Sequence, residues 1–226
     1  MEKIVSGAMA TRQALVSTAL RLFGAHGYDA VSTRQIADEA KANIGSIAYH
    51  FGGKPGLRTA CAQHVSSAVQ QALAPEFPAE VPEDLGPEAA GDMLIAVITT
   101  FVMHATQSPD SDEVSAFVMR EMMSRGEVMQ HIYREIIGPV HERLCQLFTI
   151  ATGRTGPEEE ISIIVFSLVG QAMYFRMSKE MVVTRMKWSN IGTSETTIIV
   201  DVLKANMRAL LEYYRADSPE LMRAHG

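Results

Sequence analysis

Three side chains able to bind phosphate oxygens stand close together in the first quarter of the chain. Tyr49 and His50 are adjacent, and Lys54 follows four residues after His50. A phenol, an imidazole and an ammonium group can all donate hydrogen bonds, and such donors commonly contact the backbone of a nucleic acid. Gly45 and Ser46 precede them, and residues this small would let a protein backbone approach a phosphate or a base edge closely.

Two short helices joined by a tight turn would position these groups. Ser32 and Gln35 have the spacing of a capping box, so the first helix should begin at Ser32. Asn43 is a favourable N-cap for the second helix, and Gly52-Gly53 ends it. The pattern predicts an inward face of the second helix formed by Ile47, Ala48 and Phe51. Such a helix pair is typical of proteins that lay the second helix in the DNA major groove.

The segment resembles the DNA-binding domain of the TetR family of bacterial transcriptional regulators. The resemblance covers roughly the first 64 residues and is carried by Leu15, Ala19, Phe23, Gly27, Tyr28, Thr33, Ile36, Ala37, Ala40, Gly45, Ile47, Tyr49, His50, Phe51, Lys54 and Leu57. Three positions depart from the family pattern: Asn43 stands where Ser is common, Ala48 where a larger residue is common, and Pro55 where Glu or Asp is common. None of these departures removes a phosphate-binding group.

The resemblance implies a set of DNA-binding residues: Thr33, Arg34, Asn43, Ile44, Gly45, Ser46, Tyr49, His50 and Lys54. Ile44 is the ambiguous member of this set. Helical periodicity groups it with Ile47 and Phe51, whereas the corresponding position in the family is usually exposed. We assign Ile44 to a base-edge contact, for which a thymine methyl group is a suitable partner.

Helical patterns fill the rest of the chain, so the predicted fold class is all-α. Three helices of a helix-turn-helix DNA-binding domain precede six helices of a larger domain. The predicted domains are 1–53 for DNA binding, 54–74 for a connecting helix and 75–226 for ligand binding and dimerisation. Further helices are expected near 10–26, 88–106, 112–124, 127–151 with a kink at Gly138-Pro139, 158–188 and 194–214. A proline-rich loop, 75–87, separates the connecting helix from the helices that follow.

The larger domain also resembles one subgroup of the same family. Its residues are similar to those of CecR-type regulators at Arg120-Glu121-Met122-Met123, Ile132-Tyr133, Pro139, 141–145, Gly170-Gln171 and Phe175-Arg176. Family membership implies a homodimer that binds a pseudo-palindromic double-stranded DNA operator and responds to a small-molecule effector. It leaves the operator sequence, the regulated genes and the effector unidentified.

Charge is distributed unevenly along the chain. The net charge is −6 for all 226 residues, but residues 1–64 carry a net +3 and residues 65–226 a net −9. The basic end suits an approach to phosphates, and the acidic remainder favours solubility. We expect a cytoplasmic protein, because the N-terminus lacks a signal-peptide pattern and no stretch has the roughly 20 apolar residues of a membrane span. Cys61 and Cys145 are interpreted as reduced thiols, with a redox role left open.

Each segment that begins like a known enzyme motif lacks a residue that the motif requires. His141-Glu142-Arg143-Leu144-Cys145 starts like a zinc-protease helix but has Cys where the second His is required. Gly53-Lys54 precedes Pro55 instead of the Ser or Thr of a phosphate-binding loop, and no Gly-x-Ser-x-Gly occurs. The sequence therefore predicts no enzyme, no metal site and no cofactor.

Dimerisation has a physical basis in two apolar helices near the C-terminus. The helix 158–175 is apolar almost all round, so one side must pack in its own domain and another on a partner. With 194–214 it would form a four-helix interface, for which we predict contacts by Ile161, Val165, Leu168, Ile199, Leu203 and Leu210. The alternative is that both helices are core of a monomer.

An apolar effector site is expected in the larger domain, because many of the 14 methionines lie there and Met adapts to irregular apolar ligands. The predicted ligand-binding residues are Phe101, His104, Phe117, Met122, Phe148, Gln171, Tyr174 and Trp188. The alternative is that these methionines belong to the ordinary hydrophobic core of the domain. The leading hypothesis is a repressor released from DNA by an apolar or amphipathic effector. The second is a helical small-molecule-binding or catalytic protein whose DNA-binding end is vestigial.

Overall fold

A computed structural model describes residues 2–78, 80–108, 111–124, 126–154 and 156–215. Helices dominate these residues, and none of them lies in a strand. The helices are α1 Glu2–His26, α2 Thr33–Glu39, α3 Gly45–Phe51, α4 Lys54–Leu73, α5 Pro87–Gln107, α6 Ser111–Ser124, α7 Glu127–Ile132, α8 Gly138–Thr152, α9 Glu158–Met177, α10 Lys179–Met186 and α11 Thr193–Tyr214. The all-α prediction is confirmed.

Two segments predicted as single helices are broken in the structure. A π-helical turn, Tyr133–Ile137, joins α7 to α8 just before the predicted kink. Pro139 has no N–H to donate to the carbonyl of Glu135, four residues earlier, and the Gln70 side chain donates to that carbonyl at 3.1 Å instead. The predicted helix 158–188 is likewise divided at Ser178, where φ is −109° and ψ is 26°.

Contacts divide the chain into two compact units. The first unit joins 1–70 to 109–136, and the second joins 71–108 to 137–226. The first therefore holds α1, α2, α3, most of α4, α6 and α7, while the second holds α5 and α8 to α11. This division differs from the predicted contiguous domains, because α6 packs along α1. The predicted domain limits remain a prediction.

The core of the first unit explains why its short helices are stable. Phe23 of α1, Ile36 of α2, Ile47 of α3 and Phe117 of α6 are all buried. Burying side chains of this size stabilises the fold by about 1.5–3 kcal/mol each. An ion pair between Arg21 and Glu39 adds a link from α1 to α2, and the guanidinium lowers the pKa of the Glu39 carboxyl.

The second unit is a bundle in which α5, α8, α9 and α11 share one apolar core. Its buried side chains include Leu94, Val97, Leu144, Leu147, Phe148, Val165, Leu168, Leu203 and Met207. Gly91 of α5 lets α11 approach, since a Cβ there would meet Leu211 Cδ1 at 3.3 Å. The Thr196 hydroxyl donates to the Thr106 hydroxyl at 3.0 Å, which satisfies a polar group between α11 and α5.

Two helices of the described chain, α5 and α9, are long and apolar enough to cross a membrane if judged by length and composition alone. Core helices of soluble proteins pass the same test, and both helices contribute residues to the core of the second unit.

Candidate nucleic-acid interface

Local caps hold α2 and α3 in place, largely as the sequence predicts. The Ser32 hydroxyl accepts a hydrogen bond from the Gln35 N–H at 3.1 Å, which confirms the start of α2. The Gln35 side chain does not complete the capping box but donates to Glu39. Asn43 Oδ1 accepts from the Gly45 N–H at 2.8 Å and so satisfies the first amide of α3, but the N-cap position itself is occupied by Ile44 and not by the predicted Asn43. Gly52 ends α3 in the left-handed conformation, with φ of 70°.

The outward face of α3 is exposed and carries an aromatic side chain. Tyr49 is 84% exposed, and its ring meets the His50 ring edge to face at 4.9 Å between centroids. Ile44 is 52% exposed, whereas Ile47, one turn away in the core, is buried. The exposure of Ile44 is compatible with a base-edge contact and not with a core role. The contact itself remains a prediction.

Ala48 corrects the predicted division of α3 into faces. The prediction placed it inward with Ile47 and Phe51, but the structure leaves Ala48 exposed. Residues one helical turn apart share a face, and Ala48 follows exposed Ile44 by four positions. Ala48 therefore joins Ile44 and Tyr49 on the outward face. The apolar pattern counted Ala48 as an inward residue, but a side chain this small can lie on either face.

The other predicted DNA-binding residues surround this face to different extents. Arg34, Asn43 and Gly45 are exposed, and Thr33, Ser46, His50 and Lys54 are half-buried. All nine predicted residues lie on α2, α3, their connecting turn or the first turn of α4. This placement supports their assignment to one surface, although none of the individual contacts is tested.

Lys54 has a defined environment at the start of α4. Its Nζ lies 4.2 Å from the centre of the Tyr28 ring, and Arg58, one turn later, places Cζ 4.5 Å from the same centre. A cation over an aromatic face is held by the ring quadrupole. Lys54 is also the first residue of a helix, where backbone N–H groups favour anions. The sequence identified Tyr28 only as one of the residues that resemble the family. Its contact with Lys54 joins residues 26 positions apart and is visible only in the tertiary structure.

The predicted dimer-interface residues lie mostly inside the protomer. Ile161, Val165, Leu168, Ile199 and Leu203 are buried in the core of the second unit, and Leu210 is half-buried. A side chain already buried in its own unit has little surface left for a partner. The predicted residues thus lie on the inner sides of α9 and α11, and the use of these two helices in a dimer remains a prediction.

The outer sides of α9 and α11 carry an exposed row of apolar and small residues, here called the apolar stripe. The stripe comprises Ile163, Phe166, Gly170, Tyr174 and Met177 on α9 and Ile198, Val202, Ala205, Ala209 and Tyr213 on α11. Steps of three and four residues place each set on one side of its helix. Asn206 Nδ2 donates to Gln171 Oε1 at 3.1 Å and links the two helices beside the stripe.

The eight predicted ligand-binding residues are distributed over both units of the described chain. Phe117 and Met122 belong to the first unit, and the other six belong to the second. Phe117 and Phe148 are fully buried core residues, while His104 and Tyr174 are exposed. A cavity of about 390 Å³ beside α1 and α4 and one of about 460 Å³ beside α7 contain none of the eight. The effector site remains a prediction.

Comparison with known proteins agrees with this arrangement. Residues 15–61 match the profile described as bacterial regulatory proteins, tetR family. Residues 90–213 match the profile of the C-terminal domain of the HTH-type transcriptional dual regulator CecR. The chain is 28% identical to the HTH-type transcriptional dual regulator CecR of Shigella flexneri over 214 residues, covering 92% of this chain and 94% of that protein.

Solved structures show the same fold at low sequence identity. The structure of AibR in complex with isovaleryl coenzyme A and operator DNA has a TM-score of 0.65 and 18% identity, covering 87% of this chain and 97% of that one. A TetR-like transcriptional regulator from a Rhodococcus species has a TM-score of 0.64 and 19% identity, covering 89% and 96%.

Proposed function

The chain belongs to the TetR family of bacterial regulatory proteins, with a C-terminal domain of the CecR type, and we propose that it is a homodimeric, effector-released repressor. As a member of this family it is a DNA-binding transcriptional regulator and not an enzyme. The proposal adds repression, the residues that contact the operator, the dimer surface, the chemistry of the effector and action in the cytoplasm.

The observation that carries the proposal is the outward face of α3. Tyr49 and Ile44 project into solvent there. Large apolar side chains that are exposed as a group usually serve binding. Lys54 is the first residue of the next helix, α4. We assign Tyr49, His50 and Lys54 to phosphates, and Ile44 and Ala48 to base edges in the major groove.

Two copies joined through the apolar stripe would present two recognition helices to one duplex. Ile163 and Phe166 on α9 are 68% and 54% exposed, and burying them in a partner would remove a large apolar surface from water. Gly170 has open space around it, which would permit a close helix crossing. A two-fold dimer of helix-turn-helix proteins reads half-sites about one helical turn apart, which implies a pseudo-palindromic operator.

The effector is proposed to be apolar or amphipathic and neutral or weakly cationic, because residues 65–226 carry a net charge of −9 and are rich in Met. The buried polar groups support polar contacts to the effector other than the predicted His104 and Gln171. Gln171 already pairs with Asn206, whereas Ser66 Oγ and His131 Nε2 in the first unit are buried without a hydrogen-bond partner. Buried polar groups are nearly always paired, so Ser66 and His131 are the better candidates for effector contact.

Release from DNA follows from a shift in population. An effector that binds one conformation more tightly than another shifts the protein toward that conformation. If the favoured conformation spaces the two recognition helices differently from successive major grooves, the operator is released.

Salt-dependent binding to selected DNA tests the core of this proposal. Duplexes are selected from a random-sequence pool with the purified full-length protein, and affinity is measured over a range of salt concentrations. Lys54→Ala and Tyr49→Ala should each weaken binding by about tenfold to 100-fold, and Lys54→Ala should reduce the salt slope by about 1. Arg185→Ala, which removes an exposed charge from α10, is the control and should bind like the wild type. Unchanged binding by both test variants would refute the proposed DNA-binding surface.

The effector is tested by a thermal-shift screen paired with DNA release. Hydrophobic cations, neutral aromatic compounds and polar anionic metabolites are compared on the wild type and on Ser66→Ala and His131→Ala. Apolar or cationic compounds should stabilise the protein and release DNA, with smaller responses in the two variants. A response confined to polar anions would refute the proposed effector chemistry, and an unchanged response in both variants would refute the anchors.

A further inference from the structure

The pair Arg58 and Glu121 connects α4 to α6 inside the first unit. Arg58 Nε and Nη2 donate to Glu121 Oε1 and Oε2, each at 2.8 Å, which is a two-pronged contact between planar groups. Glu121 is 2% exposed, and a carboxylate this deeply buried requires a charged partner. The pair therefore holds the Arg58 side chain in one orientation on α4.

Arg58 shares the Tyr28 ring with Lys54. The two cations lie 4.5 Å and 4.2 Å from the ring centre, and they are four residues apart on the same helix. Like charges at this spacing repel each other. The Glu121 carboxylate balances the charge of Arg58, so that Lys54 can remain beside it on the ring. The Tyr28 ring also contacts the Phe23 ring, at 5.4 Å between ring centres.

The residue next to Glu121, Arg120, holds the end of α1, which leads into Tyr28. Arg120 Nε donates to the carbonyl of Gly24 at 2.5 Å, and Nη2 donates to the carbonyl of Ala25 at 2.7 Å. These carbonyls belong to the last turn of α1, where a cation is favoured. The chain leaves α1 through Gly27, with φ of 86°, and reaches Tyr28 directly afterwards.

We infer that Arg120 and Glu121 of α6 are positioning residues for DNA binding, which act through Tyr28 and Arg58 to hold Lys54 where it meets a phosphate. Neither residue lies on the helix-turn-helix, and neither was assigned a role by its sequence. The inference rests on the proposed contact between Lys54 and DNA. It predicts that replacing a residue on α6 weakens DNA binding through the same lysine.

A double-mutant cycle on the full-length protein tests this inference with a selected duplex as the probe. Glu121→Gln keeps the shape of the side chain and removes its charge, and it should weaken binding about tenfold and reduce the salt slope by about 1. In the Lys54→Ala background, the same change should weaken binding much less, because coupled residues are not additive. Glu160→Gln removes a carboxylate paired with Arg154 at 2.7 Å in the second unit and should leave binding unchanged.

Each outcome of the cycle has a distinct meaning. If Lys54→Ala alone has no effect, the proposed phosphate contact fails. If Lys54→Ala weakens binding but Glu121→Gln adds its full effect in both backgrounds, the contact stands and the positioning role fails.

If Glu121→Gln does not fold, Tyr28→Leu replaces it in the cycle. Leu keeps an apolar side chain but has no ring for the cations, so the same lack of additivity with Lys54→Ala is expected. Additive effects of Tyr28→Leu would overturn the inference.

Discussion

The helices α3 and α9 both hold large apolar or aromatic side chains in water, but their surroundings differ. On α3 the exposed Tyr49 is followed by the cationic start of α4, and the helix has only seven residues. On α9 the exposed Ile163 and Phe166 belong to a stripe that runs the length of a 20-residue helix and continues on α11. Exposure alone does not assign a partner. The polar neighbours of α3 suit a polyanion, whereas the long periodic stripe suits another apolar helix.

The largest effect is expected from a charge placed in the apolar stripe. Ile163→Glu combined with Val202→Glu should produce monomers, because an unpaired carboxylate buried in an interface costs about 3–5 kcal/mol and each change occurs twice in a symmetric dimer. Analytical ultracentrifugation at micromolar concentration measures the result. Met123→Glu alters an apolar residue on α6 that is even more exposed, at 82%, and should leave the dimer intact.

The same experiment separates the inner from the outer side of α9. Leu168→Glu should unfold the protomer instead of dissociating folded monomers, because Leu168 lies in the core of the second unit. A wild-type protein that is monomeric at micromolar concentration would contradict the dimer and the two-fold operator together.

A smaller effect is expected where α6 supports the DNA-binding helices. A Cβ at Gly24 would lie 3.0 Å from the backbone N of Phe117 and 3.1 Å from Ala116 Cβ. Gly24→Ala should therefore destabilise the protein by about 1–3 kcal/mol through overpacking between α1 and α6. Thermal or urea unfolding measures the change. Gly7→Ala, in the same helix but with open space around the new Cβ, should stabilise by roughly 0.5–1 kcal/mol. Equal responses would show that α1 and α6 are not closely packed.

Ile44→Ala should change operator preference while leaving stability almost untouched. The side chain is half in solvent, so its removal should alter the free energy of unfolding by no more than about 0.5 kcal/mol. Loss of a contact to a thymine methyl should instead cost about 1 kcal/mol of discrimination at one base pair. Selection from a random pool, followed by unfolding in urea, gives both quantities. If Ile44→Ala unfolds the domain and leaves the preference for operator sequence unchanged, Ile44 is a core residue and not a base contact.

The smallest effect concerns the two thiols, one in each unit. Burial raises the pKa of Cys61 to about 12, and burial also raises the pKa of the half-buried Cys145. The folded state thus favours the neutral thiol of Cys61. The stability that this preference contributes is complete below the unfolded pKa of about 9 and is lost as pH rises toward about 12.

The unfolding free energy of the wild type should therefore fall more steeply above pH of about 9 than that of Cys61→Ala. Alkylation of the folded protein should modify Cys145 slowly and Cys61 hardly at all, because the thiolate is the reactive form. Equal slopes for the two proteins would contradict a buried neutral thiol at position 61.

Local features of the DNA-binding end were determined by the sequence alone. The Ser32 cap and the Gly52 end are interactions within a few residues, and both occur where the sequence predicts them, while Asn43 bonds the first amide of α3 from one position before the N-cap. The helical pattern also predicted the all-α fold, because apolar periodicity reports which residues can share a face. The kink predicted at Gly138-Pro139 lies directly after the π-helical turn at 133–137, whereas the break at Ser178 was missed because a strong helical pattern continues through it.

Only the tertiary structure decided which side of each helix meets which neighbour. On α9 apolar residues occur all round, so periodicity could not separate the buried Val165 and Leu168 from the exposed Ile163 and Phe166. The pairing of Arg58 with Glu121 joins residues 63 positions apart, and no local pattern relates them. Packing geometry chooses among faces that the sequence leaves equivalent, because burial depends on the whole set of surrounding helices and not on one helix alone.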